Sequence, residues 1–141
     1  LCLDQGLGVL PWSPLARGML TGTRKRGEHA TTPRDAGDAT LADQLYDSPG
    51  DWYVVDAVVK GAAARGVPPA RVAMAWLLSR PGVTAPIVGA TKIGHLEDAV
   101  AAVHLVLTSD EIAALEAPYR PHAVRGWLDG QALPGPAVPA R

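Results

Sequence analysis

One turn-like segment near the start of the chain carries residues that could hold a ligand in a fixed position. Residues 11–18, PWSPLARG, contain two prolines that preset φ and a glycine that frees the backbone. Such a turn can be rigid and can present Trp12 and Ser13 to a ligand. The alternative is an ordinary tight turn in which Trp12 is a core residue.

A second segment, Gly89 to Lys92, combines small residues with a cation at the predicted start of a helix. The free N–H groups and the dipole of a helix end favour an anion, and Lys92 and the Thr91 hydroxyl would add a charge and a donor. The alternative is that Thr91 serves only as the helix N-cap. Both segments follow predicted strands, at the ends where barrel and doubly wound folds bind ligands, so we predict that they share a phosphate-bearing ligand.

Hydropathy patterns predict the strands and helices that would position these segments. The predicted elements are, in chain order, a strand over 6–10, a loop over 21–51, a helix over 52–65 ended by Gly66, a helix from 69 onward, a strand over 83–89, a helix through 96–103 and a helix that follows a capping box at Thr108 and Glu111. Strands that alternate with helices indicate a parallel sheet and an α/β fold.

Two parallel strands are too few to form such a sheet alone, because their outer edges stay unpaired. The helix that begins at Pro69 is apolar nearly all round, and we expect one face of Val72, Trp76 and Leu77 to lie uncovered in this chain. Since the chain also begins at Leu1 rather than Met, we expect a fragment that is incomplete on its own and able to self-associate through its open edges.

Composition limits the classes of function. The 141 residues carry 13 Lys and Arg against 14 Asp and Glu, a net charge of −1, which argues against nucleic acid or an anionic membrane surface as a partner. No apolar run approaches the ~20 residues of a membrane span. The single cysteine, Cys2, excludes an intramolecular disulfide and a cysteine-built metal site, so no metal site is predicted and a reducing, cytoplasmic location is expected. Residues 128–141, rich in proline, alanine and glycine, are expected to form a disordered tail.

Five blocks of the sequence resemble the C-terminal part of an aldo-keto reductase, in the order that the family has them. The blocks are LPWSPLARGMLTG (10–22), VAMAWLL (72–78), APIVGAT (85–91), HLED (95–98) and LTSDEI (107–112). The resemblance covers residues 1–127 and implies the C-terminal portion of a (β/α)₈ TIM barrel, with residues 6–10 as strand 7 and 85–88 as strand 8. It also implies an enzyme that uses NADPH to reduce a small-molecule aldehyde or ketone.

The resemblance implies cofactor-binding roles for residues in both segments and in the helix that follows. They are Trp12, Ser13, Pro14, Leu15, Ala16, Arg17, Gly89, Thr91, Lys92, His95 and Asp98. In the family, residues 12–17 correspond to the turn around the pyrophosphate and the nicotinamide ribose, and residues 89–92 to the site of the adenosine ribose and its 2′-phosphate. His95 and Asp98 fall where the family contacts that phosphate and the adenine.

Two positions depart from the family pattern. Ala99 stands where Asn is frequent, and Thr23 stands where Lys is frequent. The basic run over 24–26 could reach the same phosphates, and the alternative is that it is a solvated loop.

The resemblance assigns no catalytic residue to this chain, because the family's catalytic Asp, Tyr, Lys and His come from earlier strands. The tyrosines here do not match the catalytic motif, and the remaining histidines are expected to be surface or structural residues; these residues are Tyr46, Tyr53, Tyr119, His29, His104 and His122. Two alternatives to a reductase segment stay open. One is a non-catalytic NADP-binding module similar to the channel-associated regulatory β subunits of the same superfamily, and the other is a non-functional gene remnant.

Overall fold

A computed structural model describes residues 1–27, 45–46 and 48–121 of the chain. Its elements are α1 (Cys2–Gln5), a 3₁₀ helix (Ala16–Thr21), α2 (Pro49–Arg65), α3 (Pro69–Leu78), α4 (Ile93–Val103) and α5 (Ser109–Glu116). The expected tail over 128–141, with His29 and His122, lies outside the described residues. None of the helices in the described part of the chain combines the length and the hydropathy that crossing a bilayer needs.

The helix α2 begins earlier than the sequence pattern predicts. Ser48 and Asp51 form a capping box, in which the Asp51 N–H donates to the Ser48 side chain at 3.3 Å and the Ser48 N–H donates to the Asp51 carboxylate at 3.0 Å. Pro49 then takes the first helical position without losing a hydrogen bond. The predicted loop over 21–51 is therefore wrong at both ends, since residue 21 also belongs to the 3₁₀ helix.

Two other predicted helix boundaries are confirmed. The helix α2 ends at Gly66, whose φ of 64° lies in the left-handed region that favours glycine. The helix α5 begins after Thr108, whose side chain accepts from the Glu111 N–H while the Glu111 carboxylate accepts from the Thr108 N–H. Both boundaries are local, which is why a sequence pattern can predict them.

The two predicted strands run parallel, but within the described residues they pair only through isolated bridges and form no sheet. The bridges join Val9 to Val83 and Trp12 to Ile87. The Ile87 N–H donates to the Pro11 carbonyl at 2.8 Å, while Pro86 has no N–H to donate. Among the described residues the strands predicted over 6–10 and 83–89 are therefore corrected to two isolated bridges.

A small apolar core lies between α2, α3 and α5. Its buried members are Val58, Ala62, Val72, Ala73 and Leu115. Val72 is only 1% exposed, so the expectation that its face lies uncovered is wrong. The reason is that α2 packs against α3, and Val72 lies in one buried cluster with Val58 and Ala62 of α2 and Leu115 of α5.

The helix α4 rests mainly on α3 and leaves its other side open to solvent. Side chains one helical turn apart are exposed along this open side, namely Ile93, Leu96, Val100 and Val103. Ala102 faces the opposite direction and is 1% exposed. The position of α4 in the described part of the chain therefore depends on its contacts with α3.

Candidate functional site

The parallel bridges bring the two candidate segments to the same end of the paired strands. Trp12 pairs with Ile87, and the backbone bond from Ile87 to Pro11 fixes the register of that pair. Residues 12–18 and residues 89–92 both follow the bridge, so they leave it in the same direction. This is the end at which parallel α/β folds place their ligands.

The turn over residues 12–18 has an unusual backbone. Ser13, Ala16 and Arg17 adopt φ values of 50°, 47° and 53°, in the left-handed region that residues other than glycine rarely occupy. Each such residue costs roughly 1–3 kcal/mol and persists only when the surrounding structure holds it. Leu15 within the turn packs against the core and Met19 just after it is buried, and these contacts hold the turn in place.

Trp12 projects from this turn with 65% of its surface exposed. The alternative in which Trp12 is a core residue is therefore wrong for the structure described. Ser13, Pro14, Ala16 and Arg17 are half-buried. The turn thus exposes an aromatic side chain at the end of the bridge while its neighbours are packed, which leaves the ring available to a ligand.

The second segment is open to solvent at the start of α4. Gly89, Thr91, Lys92 and His95 are all exposed. The N-cap of α4 is Lys92, which has an extended backbone and makes no side-chain capping bond, so the interpretation of Thr91 as the cap is wrong. A helix that begins without a side-chain cap leaves first-turn N–H groups for solvent or a ligand, and the macrodipole favours an anion there.

Asp98 differs from the other candidate residues because it is held by a neighbouring helix. Its carboxylate accepts a hydrogen bond from the Arg71 Nε on α3 at 2.7 Å, and the two side chains are 26% and 33% exposed. Asp98 follows His95 by three residues, so the two share one side of α4. The sequence analysis missed Arg71, because no local pattern connects residues 27 positions apart.

The basic run after the turn is partly engaged elsewhere. Arg26 forms an ion pair with Asp56 on α2, and its guanidinium lies 5.9 Å from the centre of the Trp52 ring and 5.7 Å from that of Tyr53. An open cavity of about 290 Å³ is lined there by Arg26, Gly27, Pro49, Trp52 and Tyr53. Arg26 is therefore bound to α2 rather than standing free in a solvated loop.

The strongest electrostatic perturbation lies away from the candidate site. The Arg65 guanidinium on α2 donates to both carboxylate oxygens of Glu111 at 2.5 Å, and the Thr108 N–H donates to the same carboxylate at 2.7 Å. These bonds lower the pKa of Glu111 to about 2 and raise that of Arg65. The group joins α2 to α5 and has a structural role.

Comparisons with known proteins show which family this chain resembles. Residues 1–120 match the model of the Aldo/keto reductase family. Versiconal hemiacetal acetate reductase of Aspergillus parasiticus is 39% identical over 123 residues, which is 87% of this chain and 35% of that protein. An aldo-keto reductase of Fusarium vanettenii is 35% identical over 125 residues, or 89% of this chain and 33% of that protein.

The fold also has a solved counterpart. Glycerol dehydrogenase AKR11B4 from Gluconobacter oxydans, a (β/α)₈ barrel, matches with a TM-score of 0.64 and 25% identity, over 87% of this chain and 38% of that one. The chain thus spans about a third of the length of the relatives it matches. The match to the family model over most of its length shows that this chain belongs to the aldo/keto reductase family.

Proposed function

We propose that this chain is the C-terminal part of an NADP-dependent aldo-keto reductase and that it binds the cofactor. The observation that supports this most directly is the Trp12–Ile87 bridge, because it brings the strained turn and the start of α4 to one end of the fold. In this proposal, other parts of a complete barrel supply the catalytic groups. The substrate is a small-molecule aldehyde or ketone.

The residues present fit a dinucleotide phosphate. Lys92 is exposed at a helix start without a side-chain cap, which offers a charge and N–H donors to the 2′-phosphate of the adenosine end. The turn over 12–17 would hold the pyrophosphate and the nicotinamide ribose, with Trp12 exposed beside them. Bound NADPH supplies a hydride, while the residues of this chain bind and orient.

Cofactor titration of the 141-residue chain tests the binding step. We expect NADPH to bind more tightly than NADH in isothermal titration calorimetry. Lys92→Ala removes a charge-assisted contact worth ~1.5–3 kcal/mol, so NADPH should weaken roughly tenfold or more while NADH stays nearly unchanged. Lys60→Ala, which removes an exposed lysine from α2, is the matched control and should leave both affinities unchanged.

Two results would contradict the binding proposal. If the wild-type chain shows the helix content of the structure by circular dichroism and binds neither cofactor, it is not the cofactor-binding part of a reductase. If Lys92→Ala weakens NADPH and NADH equally, Lys92 does not contact the 2′-phosphate.

Activity needs a second experiment, because no catalytic residue is assigned to this chain. We expect the chain alone not to oxidise NADPH with 4-nitrobenzaldehyde. A chimaera in which residues 1–121 replace the matching segment of the Gluconobacter oxydans dehydrogenase should reduce a carbonyl compound. A folded chimaera that binds NADPH without turnover would favour a non-catalytic binding module instead.

A further inference from the structure

We propose that Arg71 is a specificity-determining residue, which neutralises Asp98 so that the start of α4 favours the 2′-phosphate of NADPH over the hydroxyl of NADH. This inference rests on the proposed function. Arg71 lies in the first turn of α3, outside the two candidate ligand segments over 12–18 and 89–92. Its proposed role follows from the contact of its side chain with Asp98 on α4.

The contact between Arg71 and Asp98 is specific and partly sheltered. The Arg71 Nε donates to Asp98 Oδ1 at 2.7 Å, and about two thirds or more of each side chain is covered, since 33% and 26% remain exposed. Salt screens a partly buried pair less than a fully exposed one. The positive charge of Arg71 therefore compensates the carboxylate of Asp98 at close range.

Asp98 is positioned to affect an anion bound at the start of α4. Residues three apart on a helix have Cβ atoms about 5–6 Å apart, so Asp98 neighbours His95, which is exposed. Lys92 lies three residues before His95, at the N-cap position of α4, and makes no side-chain capping bond. Without Arg71, the Asp98 carboxylate would repel a phosphate bound at the start of α4. The 2′-phosphate of NADPH carries negative charge and the 2′-hydroxyl of NADH does not, so this repulsion would weaken NADPH more than NADH.

The same contact also helps to hold α4, so the test must separate charge from position. Arg71→Met keeps most of the apolar stem and exposes the charge of Asp98. The double variant Arg71→Met with Asp98→Asn loses the ion pair but restores neutrality. Arg80→Met is the matched control, because Arg80 follows α3 and pairs with Glu116 at 2.6 Å, on the side of α5 rather than α4.

The variants are compared by titrating NADPH and NADH into the full 141-residue chain, with circular dichroism to confirm unchanged helix content. We expect Arg71→Met to raise the Kd of NADPH roughly threefold to tenfold, the effect of one uncompensated charge near a bound phosphate at a protein surface. The Kd of NADH should change less than about twofold. The double variant should restore the wild-type ratio of the NADPH and NADH Kd values, because a contact of Asp98 with the adenine is common to both cofactors, and Arg80→Met should change neither Kd.

The outcomes distinguish this inference from the proposed function. Equal losses for NADPH and NADH in Arg71→Met, or no recovery of the ratio of the two Kd values in the double variant, would show that Arg71 only positions α4 and would overturn the inference. Helix loss in Arg71→Met that the double variant does not repair would do the same. Failure of the wild-type chain to bind either cofactor would overturn the proposed function and this inference together.

Discussion

Replacing Val72 by alanine tests whether the helical core closes in this chain. Val72 is 1% exposed on α3 and belongs to the buried cluster with Val58, Ala62 and Leu115. The sequence pattern alone predicts an uncovered face at this position, so the two descriptions lead to different stabilities for the same variant. A face open to water would lose almost nothing when the valine is shortened.

The magnitude follows from the buried atoms. The substitution removes two methyl-sized groups, worth about 0.8 kcal/mol each when buried, and leaves a small cavity whose lining adds to the loss. Alanine returns about 0.5 kcal/mol because it is the better helix former. We therefore expect the free energy of unfolding to fall by about 1.5–2.5 kcal/mol.

The measurement is urea unfolding followed by circular dichroism at 222 nm, at several protein concentrations. Val103→Ala is the matched control, because Val103 lies on α4 with 64% of its surface exposed. We expect Val103→Ala to change the free energy of unfolding by no more than about 0.5 kcal/mol. If Val72→Ala and Val103→Ala have the same small effect, the core between α2, α3 and α5 does not form as described.

The ion pair between Arg65 and Glu111 and the tight space around Gly22 give two further predictions. The contact with Arg65 lowers the pKa of Glu111 from 4.5 to about 2, so the wild type should have a higher thermal midpoint than Glu111→Gln at pH 7. This difference should disappear as the pH falls from about 4.5 to about 2. A difference in midpoint that does not depend on pH would contradict the prediction. Gly22→Ala should cost roughly 1–3 kcal/mol in urea unfolding, because its φ is +71° and an added Cβ would lie 2.8 Å from Val59 Cγ2. Gly27→Ala is the control for backbone strain, because Gly27 has a φ of +73° and an added Cβ would have no atom within 4 Å. If both variants lose the same free energy of unfolding, the contact with Val59 contributes nothing.

Helix boundaries show what a sequence pattern can predict. Gly66 ends α2 and the Thr108–Glu111 capping box begins α5, as expected, because both signals act within a few residues. The Ser48–Asp51 box has the same spacing of three and could have been found in the same way. The apolar period begins only at residue 52, so a helix start placed by that period falls three residues after Pro49.

The candidate site also combines features that the sequence shows with a backbone conformation that only the structure shows. The residue types of the turn over 12–18 and of residues 89–92 could be found from the sequence, since small residues, prolines and a cation after an apolar run are local features. The left-handed backbone at Ser13 could not be predicted from the sequence, because no nearby residue requires a positive φ there. That conformation depends on Met19 and Leu15 being packed against other elements.

The sequence by itself determined the resemblance to the family, the end of α2 at Gly66, the start of α5 after Thr108 and the residue types of the two candidate segments, because each of these features depends on residues close together in the chain. Only the tertiary structure decided that Val72 is buried, that the strands meet as bridges and that Arg71 holds Asp98. The physical reason is the range of the interactions. Caps and turns satisfy backbone groups within a few residues, whereas the partners of Asp98 and Arg26 lie 27 and 30 positions away and meet only after the chain has packed.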